Sequence, residues 1–317
     1  MAYLILIISL AGIVFGADYL VAGSVSVARR FKVSDFVIGA AIVGVGTSMP
    51  ELVVSFMGAL NGNADVAIGN IVGSNIFNIL GILGVTAIFF PVVIDRPNMR
   101  FEIPLCIGVS ILLTVLVYNF FNGNPACLSR GDGLLLLAVF AGFMWYSFYR
   151  DRNTGALMEE VQDKTPEEKT PLWLAVIKIV CGLAVLITAC DLFVDTAVRI
   201  AQSFGVNDAV ISLTLIACGT SLPELAASIA AAVKKNTQLA LGNIVGSNIF
   251  NITLILGISA QVMPLTSTGI TLVDYMVMTA AAVMLLLFGF KGKIGRLGGA
   301  MMLACFVAYT WFLINNQ

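Results

Sequence analysis

The chain has 317 residues, of which 59% are hydrophobic and only 11% charged, with a net charge of −1 and a mean hydropathy of +0.98. A soluble domain carries about 25% charged residues, so this chain could not cover a surface that faces water. The nearly neutral charge excludes the basic footprint of a nucleic-acid-binding protein. The absence of histidine removes the usual zinc ligand and proton carrier.

Ten apolar stretches follow one another along the chain, each long enough to cross about 30 Å of hydrocarbon as a helix. The sequence predicts helices over residues 1–23, 36–60, 65–90, 102–121, 132–149, 172–197, 208–233, 237–263, 270–290 and 296–314. No cationic residue precedes the first stretch and no cleavage site is evident, so we interpret it as a retained helix rather than a signal peptide. The predicted fold is an all-α integral membrane protein with ten transmembrane helices.

The cationic residues are concentrated in alternate connections between these stretches. If the N-terminus lies outside, the cytoplasmic connections hold fourteen Lys and Arg residues, and the outside connections hold only Arg130 and Arg199. Cytoplasmic loops are enriched in positive charge, so this distribution predicts both termini outside the cell (inner) membrane. Residues 150–171 are charged and too few to fold alone, and we predict that they form a cytoplasmic linker.

The two halves of the chain repeat one another at an offset of 173 residues. The string GNIVGSNIFNI occurs at 69–79 and again, unchanged, at 242–252, while GTSMPE at 46–51 returns as GTSLPE at 219–224. We therefore predict two five-helix repeats, 1–149 and 172–317. Because five is odd, a helix and its copy cross the membrane in opposite directions. The repeats are expected to be inverted, with a site near mid-membrane where they meet.

Each GTS(M/L)PE motif predicts an opened helix beside a carboxylate. Pro50 has no N–H and its ring clashes with the carbonyl of Gly46, so the helix must kink there. Glu51 follows, with Thr47 and Ser48 on the same helix face. The second motif repeats the arrangement with Thr220, Ser221 and Glu224. A carboxylate in mid-membrane costs about 3 kcal/mol and is by default a functional residue.

The duplicated string places a polar stripe along one helix face, because Asn70, Ser74 and Asn78 are four residues apart. The copy carries the same stripe as Asn243, Ser247 and Asn251. For Asn70 and Asn243, polar contact between packed helices is an equally good interpretation. The glycines of the string, which would let a neighbouring helix approach closely, are Gly69, Gly73, Gly242 and Gly246.

Together the motifs supply side-chain oxygens and no nitrogen or sulphur donor. The candidate ligands are Thr47, Ser48, Glu51, Ser74 and Asn78 with their copies Thr220, Ser221, Glu224, Ser247 and Asn251. Such a set suits a hard cation such as calcium, which takes about six to eight oxygens. Two carboxylates balance one divalent ion or two monovalent ions, so competition between calcium and sodium for one pocket is chemically natural.

The duplicated motifs resemble the repeats of the cation/calcium exchanger superfamily, and most closely those of prokaryotic sodium/calcium exchangers. The resemblance covers essentially the whole chain. It implies inverted five-helix repeats and an antiporter that exchanges Na⁺ for Ca²⁺ by alternating access, with no cofactor. It also implies that the ten residues named above bind the ions, together with backbone oxygens of Gly44 and Ala217.

One departure from this family pattern concerns Asn251, where several relatives carry aspartate. The pocket then holds two carboxylates rather than three, which leaves the coupled ion and the stoichiometry open and argues against the potassium-dependent branch. We expect three sodium ions to exchange for one calcium ion, which moves net charge. A proton/calcium antiporter, with protons carried by Glu51 and Glu224, is the alternative within transport.

A cation channel is the alternative from another class of protein, but kinked helices with paired carboxylates favour binding over free flow. An enzyme is not expected, because no HExxH motif or activated nucleophile is present. Membrane lipid is the expected surrounding, and the sequence points to no obligate protein partner and no nucleic acid.

Asp18 and Asp191 either line the ion path or pair with a nearby polar group. Asp35 and Asp208 are expected to cap helices.

Overall fold

The computed structural model describes residues 2–31, 33–118, 127–158, 170–203, 219–266 and 269–315, and of residues 151–158 and 201 it describes the backbone alone. The helices in these ranges are α1 (Ala2–Phe31), α2 (Asp35–Thr47), α3 (Met49–Leu60), α4 (Ala64–Phe89), α5 (Arg96–Tyr118), α6 (Arg130–Met158), α7 (Leu172–Ser203), α8 (Leu222–Val233), α9 (Thr237–Val262), α10 (Leu272–Gly289) and α11 (Arg296–Asn315). Within the described ranges, eight helices are long and apolar enough to cross a membrane, and the bent pair α2–α3 makes a ninth.

Four two-residue strands join the connections of the two halves. They are β1 (Val92–Val93), β2 (Cys127–Leu128), β3 (Leu265–Thr266) and β4 (Lys293–Ile294). β1 pairs with β4 and β2 pairs with β3, both antiparallel. Each pair contains one strand from the first half and one from the second, so the connections of the two halves are hydrogen-bonded to each other in two places.

The predicted apolar stretches coincide with helices. The first helix continues to Phe31 rather than ending near residue 23, and α5 begins at Arg96 rather than at residue 102. The seventh predicted stretch, 208–233, is described only in its second part, as α8, since residues 204–218 lie outside the described residues. α6 continues to Met158 and α7 to Ser203, so the predicted ends at 149 and 197 were too early, and residues 150–158 of the predicted linker are helical. The other predicted boundaries agree within a few residues, and the described structure is all-helical as predicted, apart from the four short strands.

The helices that carry the duplicated string lie at the centre of the molecule. In the most apolar window of each helix, 78% of α4 and 94% of α9 is buried, against 28% for α1 and 28% for α7. The larger hydrophobic core surrounds α4 and α9. A smaller core joins α1 and α7 to α2 and α8. The duplicated string is therefore largely enclosed by the other helices.

Glycines bring helices into close contact at two crossings. A Cβ atom on Gly16 of α1 would lie 2.6 Å from the backbone nitrogen of Leu186, and one on Gly182 of α7 would lie 2.6 Å from that of Leu20. At the crossing of α2 and α9, a Cβ on Gly242 would lie 2.2 Å from the carbonyl oxygen of Phe36. The prediction of close approach is confirmed for the second copy of the string.

Matching turns join α3 to α4 and α8 to α9. Gly62 and Lys235 occupy equivalent positions in these turns and both have positive φ, 75° and 61°. The next residue caps the following helix in each case, since Asn63 accepts a hydrogen bond from the Val66 N–H at 3.1 Å and Asn236 accepts one from the Leu239 N–H at 3.0 Å. The sequence duplication is thus a duplication of backbone conformation as well.

Of the four aspartates outside the motifs that the sequence singled out, Asp18 and Asp35 have side-chain partners in the described structure. Asp18 forms an ion pair with Lys234 at 2.6 Å between Oδ1 and Nζ, which is the polar pairing that one interpretation expected. Asp191 is exposed on α7. The expectation for Asp35 was wrong, because the preceding Ser34 caps α2 and Asp35 instead accepts a hydrogen bond from the Asn236 amide at 2.9 Å. Asp208 lies outside the described residues.

We expect Gly16→Ala to destabilise the protein by about 1–3 kcal/mol, because the added methyl group would overlap the α7 backbone. Thermal unfolding of the purified protein in detergent measures this change. Gly142→Ala is the matched control, since among the described residues nothing lies within 4 Å of a Cβ added there. Equal unfolding temperatures for the two variants would contradict the close helix crossing.

Candidate ion-binding site

In both GTS(M/L)PE motifs a helix begins directly after the serine. Ser48 separates α2 from α3 with φ −80° and ψ 10°, and the two helices meet at an angle of 50°. Ser221 has nearly the same conformation, φ −93° and ψ 8°, at the start of α8. The break follows from the proline two residues later, as predicted. It places Glu51 and Glu224 in the first turn of a new helix, where the positive end of the helix dipole favours a carboxylate.

The two glutamates are held by serines of the opposite half. The Ser221 hydroxyl donates a hydrogen bond to Glu51 Oε1 at 2.8 Å, and the Ser48 hydroxyl donates one to Glu224 Oε1, also at 2.8 Å. Neither glutamate has any exposed surface. The second carboxylate oxygen of each, Oε2, is buried and has no hydrogen-bond partner among the described residues. Two buried oxygens are therefore free to accept a bound cation.

The remaining hydroxyl groups of the candidate set lie around these carboxylates. Ser74 donates to Glu51 Oε1 at 3.4 Å, and Ser247 donates to the carbonyl oxygen of Gly44 at 3.3 Å. Thr47 donates to the same Gly44 carbonyl at 3.4 Å. Thr220 is half-buried, and its hydroxyl has no partner within the described part of the chain. Gly44 is thus placed among the candidate ligands, whereas Ala217 lies outside the described residues.

Asn70 and Asn243 act as contacts between packed helices, which was one of the two interpretations of these residues. The Asn70 amide donates to the Glu51 carbonyl at 3.2 Å and to the Ser55 hydroxyl at 2.9 Å. The Asn243 amide makes the equivalent bonds to the Glu224 carbonyl at 3.1 Å and to Ser228 at 2.8 Å. Each asparagine therefore ties the helix that carries a glutamate to the helix beside it.

Asn78 and Asn251 lie where α4 and α9 turn π-helical, over Phe77–Leu83 and Asn251–Ile255. Such wider turns are rare and occur often at functional sites. The π-helical segment that contains Asn251 packs against α3, and the one that contains Asn78 packs against α8. Both asparagines are fully buried, and Oδ1 of each has no hydrogen-bond partner among the described residues.

Two further asparagines of the duplicated string belong to this region, although the sequence reasoning missed them. The Asn251 amide donates to Asn75 Oδ1 at 3.0 Å, and the Asn78 amide donates to Asn248 Oδ1 at 3.0 Å. Asn75 and Asn248 lie off the polar stripe, so the four-residue spacing did not select them. The signal available was their exact duplication, as the two remaining asparagines in an otherwise apolar string.

The structure therefore brings Ser48, Ser74 and Ser221 into hydrogen-bond contact with the two glutamates, and it places the other described candidate ligands on the helix segments packed around them. The donors are oxygens of carboxylate, amide, hydroxyl and backbone carbonyl groups, and the described residues contain no group of three or more His, Cys, Asp or Glu that could hold a metal ion. Softer metals prefer nitrogen and sulphur, whereas calcium and sodium accept such an oxygen set. The fold and the site define a membrane protein with a buried, oxygen-lined pair of carboxylates.

Comparison with known proteins is more specific. Residues 1–149 and 174–315 match the family described as sodium/calcium exchanger protein, and the chain belongs to that family. It is similar to the putative antiporter CaxA of Alkalimonas amylolytica, with 39% identity over 99% of each chain. It is also similar to the sodium/calcium exchanger MaX1 of Methanosarcina acetivorans, with 30% identity over 97% of each chain.

A solved structure gives the same result. The sodium-calcium exchanger NCX_Mj, in crystals soaked without sodium and calcium, superposes with a TM-score of 0.83 at 31% identity, over 98% of each chain. The family is one of transporters rather than enzymes. The resemblance drawn from the motifs is confirmed at the level of the family, and the chain is a cation/calcium antiporter of this family.

We expect Ser48→Ala and Ser221→Ala each to weaken calcium binding about tenfold, as is typical when a group that supports a metal ligand is removed. Isothermal titration of the purified protein with calcium measures the change. Ser110→Ala is the matched control, because that buried hydroxyl donates only to a carbonyl of its own helix, Cys106 O at 2.8 Å. Calcium affinity that is unchanged in both motif variants would argue against the crossed serine contacts.

Proposed function

We propose that this chain exchanges Na⁺ for Ca²⁺ by alternating access, with three sodium ions for each calcium ion. It does so in the cell (inner) membrane, with both termini outside. The observation that carries the proposal is the pair of crossed contacts, in which each buried glutamate is held through Oε1 by a serine of the other half while Oε2 has no partner among the described residues.

The buried oxygens that have no hydrogen-bond partner among the described residues are the atoms proposed to bind the cation. A buried acceptor without a partner costs about 1–3 kcal/mol, and more when it is charged. Such atoms in the described structure include Glu51 Oε2, Glu224 Oε2, Asn78 Oδ1, Asn251 Oδ1 and Thr220 Oγ1. A calcium ion needs about six to eight oxygens, and backbone and hydroxyl oxygens beside the glutamates complete that number. Sodium, with the same preference for oxygen, competes for the same atoms.

The proposed architecture has ten transmembrane helices in two inverted five-helix repeats, 1–149 and 172–317, joined by the linker 150–171. Support comes from reciprocal contacts, because the serine–glutamate bond and the asparagine–asparagine bond each occur in both directions between the halves. The ion ligands then lie between the repeats. α1 and α7, which pack closely on each other and share a separate small core, are the helices proposed to slide against the bundle.

The number of buried charges decides the electrical behaviour. With Glu51 and Glu224 as its charged ligands, the pocket is neutral when it holds one calcium ion and carries a charge of +1 when it holds three sodium ions. Three-to-one exchange therefore moves one net charge per cycle. A membrane potential acts on that charge with about 2.3 kcal/mol per 100 mV.

We expect Glu51→Gln and Glu224→Gln each to abolish calcium transport in proteoliposomes, because each variant removes half of the charge of the pocket while keeping its shape. Glu102→Gln is the matched control, since Glu102 is also fully buried but forms an ion pair with Arg150 away from the motifs. All three variants are compared by size-exclusion chromatography to confirm folding. Near-normal exchange by either motif variant would remove that glutamate from the site.

Sodium-driven calcium flux should respond to voltage. At fixed ion gradients, an inside-negative potential set with valinomycin should favour the direction in which sodium enters the vesicle and calcium leaves it. Flux is measured with an imposed sodium gradient, with an imposed proton gradient, and with neither. Voltage-insensitive exchange would contradict three-to-one coupling, because two-to-one exchange moves no net charge. Flux driven by protons and independent of sodium would show the alternative, a proton/calcium antiporter.

A further inference from the structure

An asparagine that binds a cation must be oriented, because the two ends of its amide are similar in size and opposite in character. The oxygen attracts a cation, whereas the NH₂ group is a donor and repels it. Asn78 and Asn251 are both buried, so the surrounding protein rather than bulk water has to determine which end faces the ion. The residues that determine this orientation affect ion binding without touching the ion.

The structure provides these residues from the same duplicated string. Asn75 Oδ1 accepts a hydrogen bond from the Asn251 amide at 3.0 Å, and Asn248 Oδ1 accepts one from the Asn78 amide at 3.0 Å. In each pair the NH₂ group of the ion-site asparagine donates its hydrogen bond to the neighbouring asparagine. The oxygen of the ion-site residue is left without a partner among the described residues.

The orientation of Asn75 and Asn248 is in turn determined by backbone. The Asn75 amide donates to the carbonyl oxygen of Asn248 at 3.2 Å, and the Asn248 amide donates to the carbonyl oxygen of Asn75 at 3.3 Å. A backbone carbonyl only accepts hydrogen bonds, so neither side chain can turn over without placing oxygen against oxygen. The two backbone carbonyls therefore fix the side-chain amides of Asn75 and Asn248. These two amides in turn fix the side-chain amides of Asn251 and Asn78.

We propose that Asn75 and Asn248 are positioning residues that turn the amide oxygens of Asn251 and Asn78 toward the transported cation. The proposal rests on the proposed function, since it assumes that calcium is bound in this pocket. It also predicts that the effect of Asn75 on ion binding depends on which residue occupies position 251. An aspartate there has two equivalent oxygens, so it needs no orientation, and it would set an acceptor against Asn75 Oδ1.

This relation supplies the test, a double-mutant cycle read by calcium titration of the purified protein. In the natural background, Asn75→Leu should weaken calcium binding about tenfold or more, because the Asn251 amide is then free to turn its NH₂ group toward the ion. In the Asn251→Asp background the same substitution should change calcium affinity less than about twofold. A residue that only fills space would have the same effect in both backgrounds.

The other half of the molecule provides an independent cycle, Asn248→Leu with and without Asn78→Asp, for which the same result is expected. If the leucine variants do not remain monodisperse, serine replaces leucine at the same position, since it also lacks the amide. Equal losses of affinity in both backgrounds would overturn the proposal. Loss of the folded protein with every replacement, whatever residue stands at 251 or 78, would overturn it as well, because the asparagines would then serve packing.

The same titrations separate this proposal from the proposed function. A natural protein that binds no calcium would remove the function itself. A natural protein that binds calcium, with additive effects in both cycles, would remove only the positioning role of Asn75 and Asn248.

Discussion

The burial of two carboxylates inside the membrane is the constraint on which the rest of the structure depends. Moving an ionised carboxylate out of water is costly unless hydrogen bonds and an opposite charge replace the lost hydration. Glu51 and Glu224 each accept a hydrogen bond from a serine hydroxyl and lie in the first turn of a helix. Polar side chains of the two most buried helices lie around them. Among the described residues, no Lys or Arg forms an ion pair with either glutamate, and in the proposed function the transported ions supply the positive charge.

The helix breaks, the glycines and the asparagines can all be understood from this constraint. In each motif the proline lies at the start of a new helix, and the glutamate lies in the first turn of that same helix. Gly242 and Gly246 let α9 approach α2 closely enough for Ser247 to reach the carbonyl of Gly44. Asn70 and Asn243 then tie the opened helices α3 and α8 to their neighbours. The residues that make these contacts are polar or small. Such residues suit helix packing in a membrane, where burial of apolar surface contributes little to helix association.

Much of this structure was accessible from the sequence, because hydropathy, proline chemistry and an internal repeat are local signals. They predicted the helices and the break at Ser48, and they selected the candidate ligands. They did not predict that each glutamate pairs with a serine about 170 residues away, since such a contact exists only after the two halves have packed. Asn75 and Asn248 were missed for the same reason. Their amides bond across the interface between the halves, and their spacing on their own helices indicates nothing about ions.

The π-helical turns at Asn78 and Asn251 show a further limit of sequence reasoning. A π-turn differs from an α-turn by one extra residue, and the local sequence at these positions would fit either. The close contact between α4 and α9 accompanies the wider turns, and that contact again depends on the assembled fold. The sequence therefore selected the candidate residues, whereas packing determined which of their atoms have no hydrogen-bond partner among the described residues.

The crossed serine contacts have one more consequence, which concerns why the two halves occur in a single chain. Neither half can complete the surroundings of its own glutamate, because Ser221 serves Glu51 and Ser48 serves Glu224. Two separate five-helix molecules would have to meet first, at an entropic cost of about 4–15 kcal/mol. A connecting segment instead holds each half near the other at an effective concentration in the millimolar range. Covalent fusion thus makes the formation of the site independent of how much protein the membrane contains.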